Sequence, residues 1–266
     1  MTTSLIPNYR ARTVASKVPA VTLVFWLIKI CATTVGETGG DAVSMTLGWG
    51  YALSSALFLA IFFVTVTAQI ASRQYHAFVY WAVVVATTTV GTTMSDFLDR
   101  TAGLGYAYSS LIEFGGVLIV LFIWYRVTGA IQFENITTRT GECFYWLTIL
   151  VSNTLGTALG DFVADDTGLG FLGGAALFGG LLVLVAGAYY FTKISRVLLF
   201  WAAYVLSRPL GATLGDTLTK PRAQGGLNLS RITSSLAIAV AMVVLILISL
   251  RVGRRPETVE ESPTRA

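Results

Sequence analysis

The sequence predicts an all-α integral membrane protein: eight transmembrane helices forming four tandem, parallel helix-pair repeats, pseudo-symmetric about an axis along the membrane normal. Three observations predict it. The 266 residues are 55% hydrophobic and only 12% charged, with mean hydropathy +0.71, whereas ordinary soluble domains carry about 25% charged residues. Apolar runs near the ~20 residues that cross a bilayer core recur over 18–38, 49–70, 78–94, 106–127, 144–160, 169–191, 197–214 and 232–250. Finally, one gapless pattern (aromatic-Trp, nine residues, Gly, four residues, Asp) occurs four times, and internal repeats define architecture.

The first copy is "FWLIKICATTVGETGGD", ending at Asp41. Its run follows Arg10, Arg12 and Lys17, a flank that also fits a signal peptide. The run is longer than a usual signal core and carries the repeat, so it reads as a retained first helix. The other copies end at Asp96, Asp161 and Asp216, with tryptophans at Trp26, Trp81, Trp146 and Trp201 spaced by 55, 65 and 55 residues. Seven residues beyond the first three aspartates a second signature begins: "GWGY" at Gly48, "GLGY" at Gly103 and "GLGF" at Gly168. The fourth copy departs with "KPRAQGGLNLS" and recovers a glycine pair at Gly225-Gly226. Each unit therefore reads as helix, short loop, helix. The expected division is an N-terminal segment (1–17), repeats at 18–72 and 73–127, and a central connection (128–143). Repeats at 144–192 and 193–250 and a polar, disordered tail (251–266) complete it.

A unit with two crossings returns the chain to its starting side, so every copy enters the membrane in the same direction and all four aspartates share one side. Twelve of the 18 basic residues flank the opposite helix ends, which places both termini in the cytoplasm. The formal charge of +4 is thus a matter of topology and does not point to nucleic acid. The sequon Asn135-Ile136-Thr137 falls on the cytoplasmic side and carries no weight.

These features resemble a family of uncharacterised bacterial membrane-anchored proteins built from four copies of a two-helix repeat with a recurrent tryptophan. Trp26, Trp81, Trp146 and Trp201 match that residue, over about residues 17–250. The resemblance implies an inner-membrane location and brings no activity, catalytic residue or ligand with it.

Function must be sought in the polar residues. Positions four apart share a helix face. Stepping back from each aspartate gives Asp41, Glu37, Thr33 and Lys29; Asp96, Thr92 and Thr88; Asp161, Thr157 and Asn153; Asp216, Ala212 and Arg208. Glu113 is a further charge inside a predicted helix, where the other copies have Phe58, Phe178 and approximately Thr233. Charges in a bilayer cost about 2.5–3.5 kcal/mol each on insertion scales and so face an interior or a cavity. Two readings stay open. Lys29, Glu37, Glu113 and Arg208 form two buried ion pairs and the aspartates cap loops, in a non-transporting scaffold, partner subunit or lipid-binding protein. Alternatively, four same-side carboxylates form an acidic entrance that binds a small cation. On that reading Asp41, Asp96, Asp161, Asp216, Glu37, Thr92, Asn153, Thr157 and Glu113 are the ligands, and Lys29 and Arg208 pair with internal charge. Carboxylate and hydroxyl oxygens suit hard divalent cations such as Mg²⁺ or Mn²⁺. Two isolated cysteines and a single histidine, His76, argue against zinc, copper and bis-histidine haem. No resident cofactor is expected, and the oligomeric state is not legible. GxSxG, HExxH and Walker motifs are missing from the sequence, so an enzyme is not expected. The leading expectation is a small transporter of a divalent cation.

Overall fold

The computed structural model describes residues 17–72, 74–131, 136 and 138–252. The predicted N-terminal segment up to residue 16, the ends of the sequon and the tail from 253 lie outside the described residues. Among those described there are eight long helices and no strand: α1 (Leu23–Asp41), α2 (Gly50–Ala71), α3 (Ala77–Asp96), α4 (Tyr106–Thr128), α5 (Arg139–Asp161), α6 (Gly170–Phe191), α7 (Arg196–Thr219) and α8 (Arg231–Val252). Seven are long and apolar enough to cross a membrane. The exception is α1, whose middle carries both Lys29 and Glu37.

Local chemistry sets the helix ends. Thr22 and Thr138 cap α1 and α5 by accepting bonds from the Phe25 and Gly141 amides at 3.3 and 3.1 Å. The Thr138 cap starts α5 at Arg139, five residues before the apolar run expected at 144, so the central connection is shorter than predicted. At the aspartate end, α1, α3 and α5 each widen into a π turn (Ala42–Thr46, Phe97–Thr101, Phe162–Asp166). The Gly-x-Gly signature follows, and all six of its glycines have φ between +67° and +75°. That left-handed region is costly for any residue with a Cβ, which is the physical reason the signature recurs. The fourth connection has no π turn; Pro221 and Arg222–Gln224 fold back over the end of α7 instead.

The packing order was not visible in the sequence. The first helices of the repeats, α1, α3, α5 and α7, touch in cyclic order and close on themselves, α7 returning to α1. Each second helix packs on the first helix of the next repeat, α2 on α3, α4 on α5, α6 on α7 and α8 on α1, and barely touches its own. The sequence repeat is therefore not a packing unit, and the ring closes only when all four are present. The inner helices are mostly buried, while the outer ones expose Phe63, Val64, Ile119, Phe122, Leu184 and Leu236.

The repeated glycine is the point where inner helices cross. A Cβ on Gly36 would lie 2.2 Å from Thr88 Oγ1; on Gly91, 2.8 Å from the Asn153 carbonyl carbon; on Gly156, 2.4 Å from Arg208 Cγ; on Gly211, 2.1 Å from Thr33 Oγ1. Each glycine thus receives the residue eight positions before the next repeat's aspartate. Thr88 donates across this contact to Ala32 O at 3.1 Å, and Thr33 to Ser207 O at 3.3 Å. Close approach through small residues is how helices pack in lipid, where hydrophobic burial gives little drive. The other glycine pairs on the outer helices differ among themselves: a Cβ on Gly174 would meet Thr213, but among the described residues one on Gly115, Gly179 or Gly180 would have no neighbour within 4 Å.

At the end opposite the aspartates, the aromatic-Trp pairs form a floor. Phe25 meets Trp81 with ring centroids 5.4 Å apart, Tyr80 meets Trp146 at 5.4 Å, Tyr145 meets Trp201 at 5.9 Å, and Phe200 meets Trp26 at 5.9 Å. The Tyr80 and Tyr145 hydroxyls share a 2.7 Å hydrogen bond. Three of the four tryptophans are buried, so this is core packing and not an interfacial belt.

Candidate functional site

The polar ladders of the four inner helices meet on the ring's axis, one level above another. Lowest, just above the aromatic floor, is Lys29. It is fully buried, with Nζ 3.4 Å from Asn153 Oδ1 and 4.2 Å from the centroid of the Tyr204 ring. Asn153 donates in turn to Thr87 at 3.0 Å.

One level higher, Arg208 reaches from α7 across the axis. Its Nη1 and Nη2 donate to Glu37 Oε2 on α1 at 3.1 and 3.0 Å. Nη2 also lies 2.6 Å from Thr92 Oγ1 on α3 and 2.7 Å from Thr157 Oγ1 on α5. Thr92 itself donates to Glu37 Oε2 at 3.2 Å. All four inner helices therefore contribute to one charge-assisted cluster, and Arg208 and Glu37 are 0% and 3% exposed. The fourth repeat has Ala212 where the others have Glu37, Thr92 and Thr157. Arg208, one turn earlier, supplies the missing polar group at that level.

Above this cluster sit the four aspartates, 1–3% exposed. Arg100 joins Asp96 and Asp161, at 3.2 and 3.4 Å, and Lys220 joins Asp216 and Asp41, at 3.2 and 3.4 Å. Arg231 Nε adds a 3.5 Å approach to Asp41. Arg100 and Lys220 occupy the same place in their repeats, four residues past the aspartate, where side chains on a helix meet. Each bridges its own repeat to the next. Burial works against the charge of Lys220, but Asp216 and Asp41 outweigh it and hold the amine well above the usual lysine range.

Glu37, Asp41 and Asp216 converge further: one carboxylate oxygen from each lies within 4.8 Å of the others. Oδ1 of Asp41 accepts no hydrogen bond among the described residues. Three such oxygens at this separation are a donor set for a hard cation.

A cavity of about 530 Å³ opens above the ring, lined by Arg100, Lys220 and Arg231 together with Asp165, Tyr106 and Gln224. Its wall is basic where the sequence suggested an acidic entrance. The aspartates lie behind these bases, because the bases are the long side chains and reach over the short ones. Nor do the aspartates cap loops: Asp41, Asp96 and Asp161 make no capping hydrogen bond, and the helix passes through them into the π turn. The sequence-based pairing of four interior charges also needs correction. Glu37 and Arg208 are paired. Lys29 instead meets Asn153 and Tyr204, and Glu113 lies off the axis on α4, buried, with neither carboxylate oxygen hydrogen-bonded among the described residues.

Thus Asp41, Asp96, Asp161, Asp216, Glu37, Thr92, Thr157, Asn153, Lys29 and Arg208 come together, and Glu113 does not. Sequence reasoning did not place Arg100 and Lys220 in the site, although the four-residue spacing after Asp96 and Asp216 was there to be read. The family pattern described as a Repeat of Unknown Function (DUF347) matches residues 24–75, 79–130, 144–195 and 199–255. This chain belongs to that family. The four DUF347 matches each begin at or just before the aromatic-Trp pair and take in both helices of a repeat. No curated protein and no solved structure gives a significant match. The DUF347 assignment agrees with the tandem architecture and leaves the activity to be inferred from the site.

Proposed function

We propose that this DUF347 protein is a non-enzymatic, multi-pass membrane transporter of a small divalent cation, bound by Glu37, Asp41 and Asp216 on the axis of the helix ring. The membrane reading rests on seven long apolar helices and on outer helices with exposed aliphatic and aromatic faces. Positive charge flanking the other helix ends orients both termini toward the cytoplasm and the aspartates away from it. The inner membrane is the expected compartment, and the cyclic packing supports a pseudo-symmetry axis along the membrane normal, with α1 crossing as the eighth span.

The observation that carries the proposal is the convergence of the three carboxylates behind a side chain that is itself a cation. The Lys220 ammonium lies 3.2 and 3.4 Å from Asp216 and Asp41, where an arriving ion would sit. Five axial carboxylates (Glu37 and the four aspartates) face four bases, Arg100, Arg208, Lys220 and Arg231, so that each carboxylate already lies within 3.5 Å of a base. A bound divalent ion therefore has to displace a tethered cation. Lys220 is the candidate, because a flexible four-carbon stem ends at the cavity wall. Its backbone stays pinned, since Asn228 N donates to Lys220 O at 3.0 Å and Leu227 N to Thr217 O at 2.7 Å. Gly226 permits this fold-back, for a Cβ there would lie 2.1 Å from Lys220 O. Only the side chain swings.

A ligand that binds only the folded state raises the melting temperature with its concentration. Purified protein in detergent is expected to show such a rise with Mn²⁺ or Mg²⁺. The rise grows in Lys220→Met, which removes the competing cation, and is lost in Asp41→Asn/Asp216→Asn. A folded Lys220→Met variant that responds to no divalent ion would refute the site. One observation favours the scaffold reading: every ring aspartate is already within 3.5 Å of a base. On that reading Lys220→Met destabilises the protein and no divalent ion restores it.

A further inference from the structure

Away from the axis, the second repeat holds a polar cluster that no other repeat has. Asp99, in the π turn after α3, accepts a hydrogen bond from Ser95 at 3.1 Å and another from Ser109 on α4. One turn beyond Ser109, Glu113 is 6% exposed, and both of its carboxylate oxygens have no hydrogen-bond partner among the described residues. Asp99 is the charged group that acts on it. The Ser110 hydroxyl beside them is buried and unpartnered as well. At the positions of Asp99 and Glu113 the first repeat has Ser44 and Phe58, and the third has Ala164 and Phe178. The first repeat keeps the serine pair as Ser54 and Ser55, so the carboxylates are what is new.

No base balances them. Among the described residues, neither Asp99 nor Glu113 has a lysine or arginine within ion-pair distance. At this end of α4 the charged groups on the packed elements are Arg100 on the same π turn, Asp165 and Asp166 on the third π turn, and Asp161 at the end of α5, whose Arg139 and Glu142 lie at its opposite end. Arg100 turns away to Asp96 and Asp161, and the others at this end are negative. The two hydroxyl donors satisfy Asp99 as an anion. Glu113 receives nothing, and an ionised carboxylate buried without a partner costs several kcal/mol.

We propose that Glu113, with Asp99, Ser95 and Ser109, forms a second, off-axis site that holds one monovalent cation, H⁺ or Na⁺. One positive charge is what Glu113 lacks, and carboxylate and hydroxyl oxygens are the ligands such an ion takes. The site shares no residue with Glu37, Asp41 and Asp216, so it stands or falls independently of the axial reading.

The test uses the full chain in lipid nanodiscs, wild type beside Glu113→Gln and Asp99→Asn. If the occupant is a proton, the infrared spectrum at neutral pH contains a protonated-carboxyl stretch that is missing from Glu113→Gln. The wild type then loses thermal stability as pH rises and the proton leaves, and Glu113→Gln removes that dependence. If it is sodium, replacing choline chloride by sodium chloride at constant ionic strength raises the melting temperature in proportion to the logarithm of sodium concentration. Both variants lose that rise while keeping any divalent-cation response of the axial site. A folded wild type with neither the Glu113 band nor a sodium-selective shift would overturn the proposal. Glu113→Gln removes the need for a cation without shortening the side chain, so it is expected to fold.

Discussion

Replacing Arg208 by methionine lowers the stability of the folded protein by about 3–5 kcal/mol, the usual cost of removing one partner from a buried ion pair. The loss is large because, among the described residues, Arg208 is the only group that joins all four inner helices. Without it Glu37 is an unpaired buried carboxylate, and Thr92 and Thr157 each lose a donor at 2.6–2.7 Å. Glu37→Met alone is destabilising for the mirror reason, since it strands a guanidinium that is 0% exposed. The double variant Glu37→Met/Arg208→Met restores most of the loss, because an apolar pair of similar volume needs no desolvation. Thermal unfolding in detergent measures all three. Losses that simply add in the double variant would mean the two side chains act separately.

Gly91→Ala has the second largest effect, about 1–3 kcal/mol, typical of overpacking a filled core. The new methyl would stand 2.8 Å from the Asn153 carbonyl carbon and 3.0 Å from the Thr154 nitrogen. Both are backbone atoms, so α3 and α5 must part, and the bond from Asn153 to Thr87 parts with them. Gly179→Ala is the matched control. Among the described residues nothing lies within 4 Å of a Cβ there, and alanine is the better helix former by about 1 kcal/mol, so its melting temperature holds or rises. Equal losses at Gly91 and Gly179 would remove the crossing-point explanation of the repeat glycine.

The difference between these glycines shows what the sequence carried. Gly36, Gly91, Gly156 and Gly211 recur at a fixed distance from an aspartate, and a fixed distance on a helix fixes a face. The same arithmetic puts Lys29, Glu37, Thr92, Asn153, Thr157 and Arg208 each on the aspartate face of its own helix; that the four faces meet is a property of the fold. Gly179 and Gly180 lack that periodic anchor, and adjacency alone did not reveal which side of α6 meets a neighbour.

Two features stayed hidden for physical reasons. The exchange of second helices between repeats leaves no local trace, because α2 is equally apolar whether it covers α1 or α3. The reach of Arg100 and Lys220 over the aspartates depends on side-chain length and on closure of the ring. Four same-side carboxylates therefore suggested an acidic entrance, where the cavity wall of the assembled protein is lined by Arg100, Lys220 and Arg231. Glu113 was recognisable as a charge inside a long apolar helix, but only the fold separates it from the axis and sets it beside Asp99.

The most direct test is ion flux into liposomes containing the purified protein and a divalent-sensitive dye. The account predicts saturable Mn²⁺ or Mg²⁺ uptake, absent from protein-free liposomes and abolished in a folded Asp41→Asn/Asp216→Asn variant. No flux of any divalent ion from folded, correctly inserted protein, or flux that survives loss of both carboxylates, would contradict it.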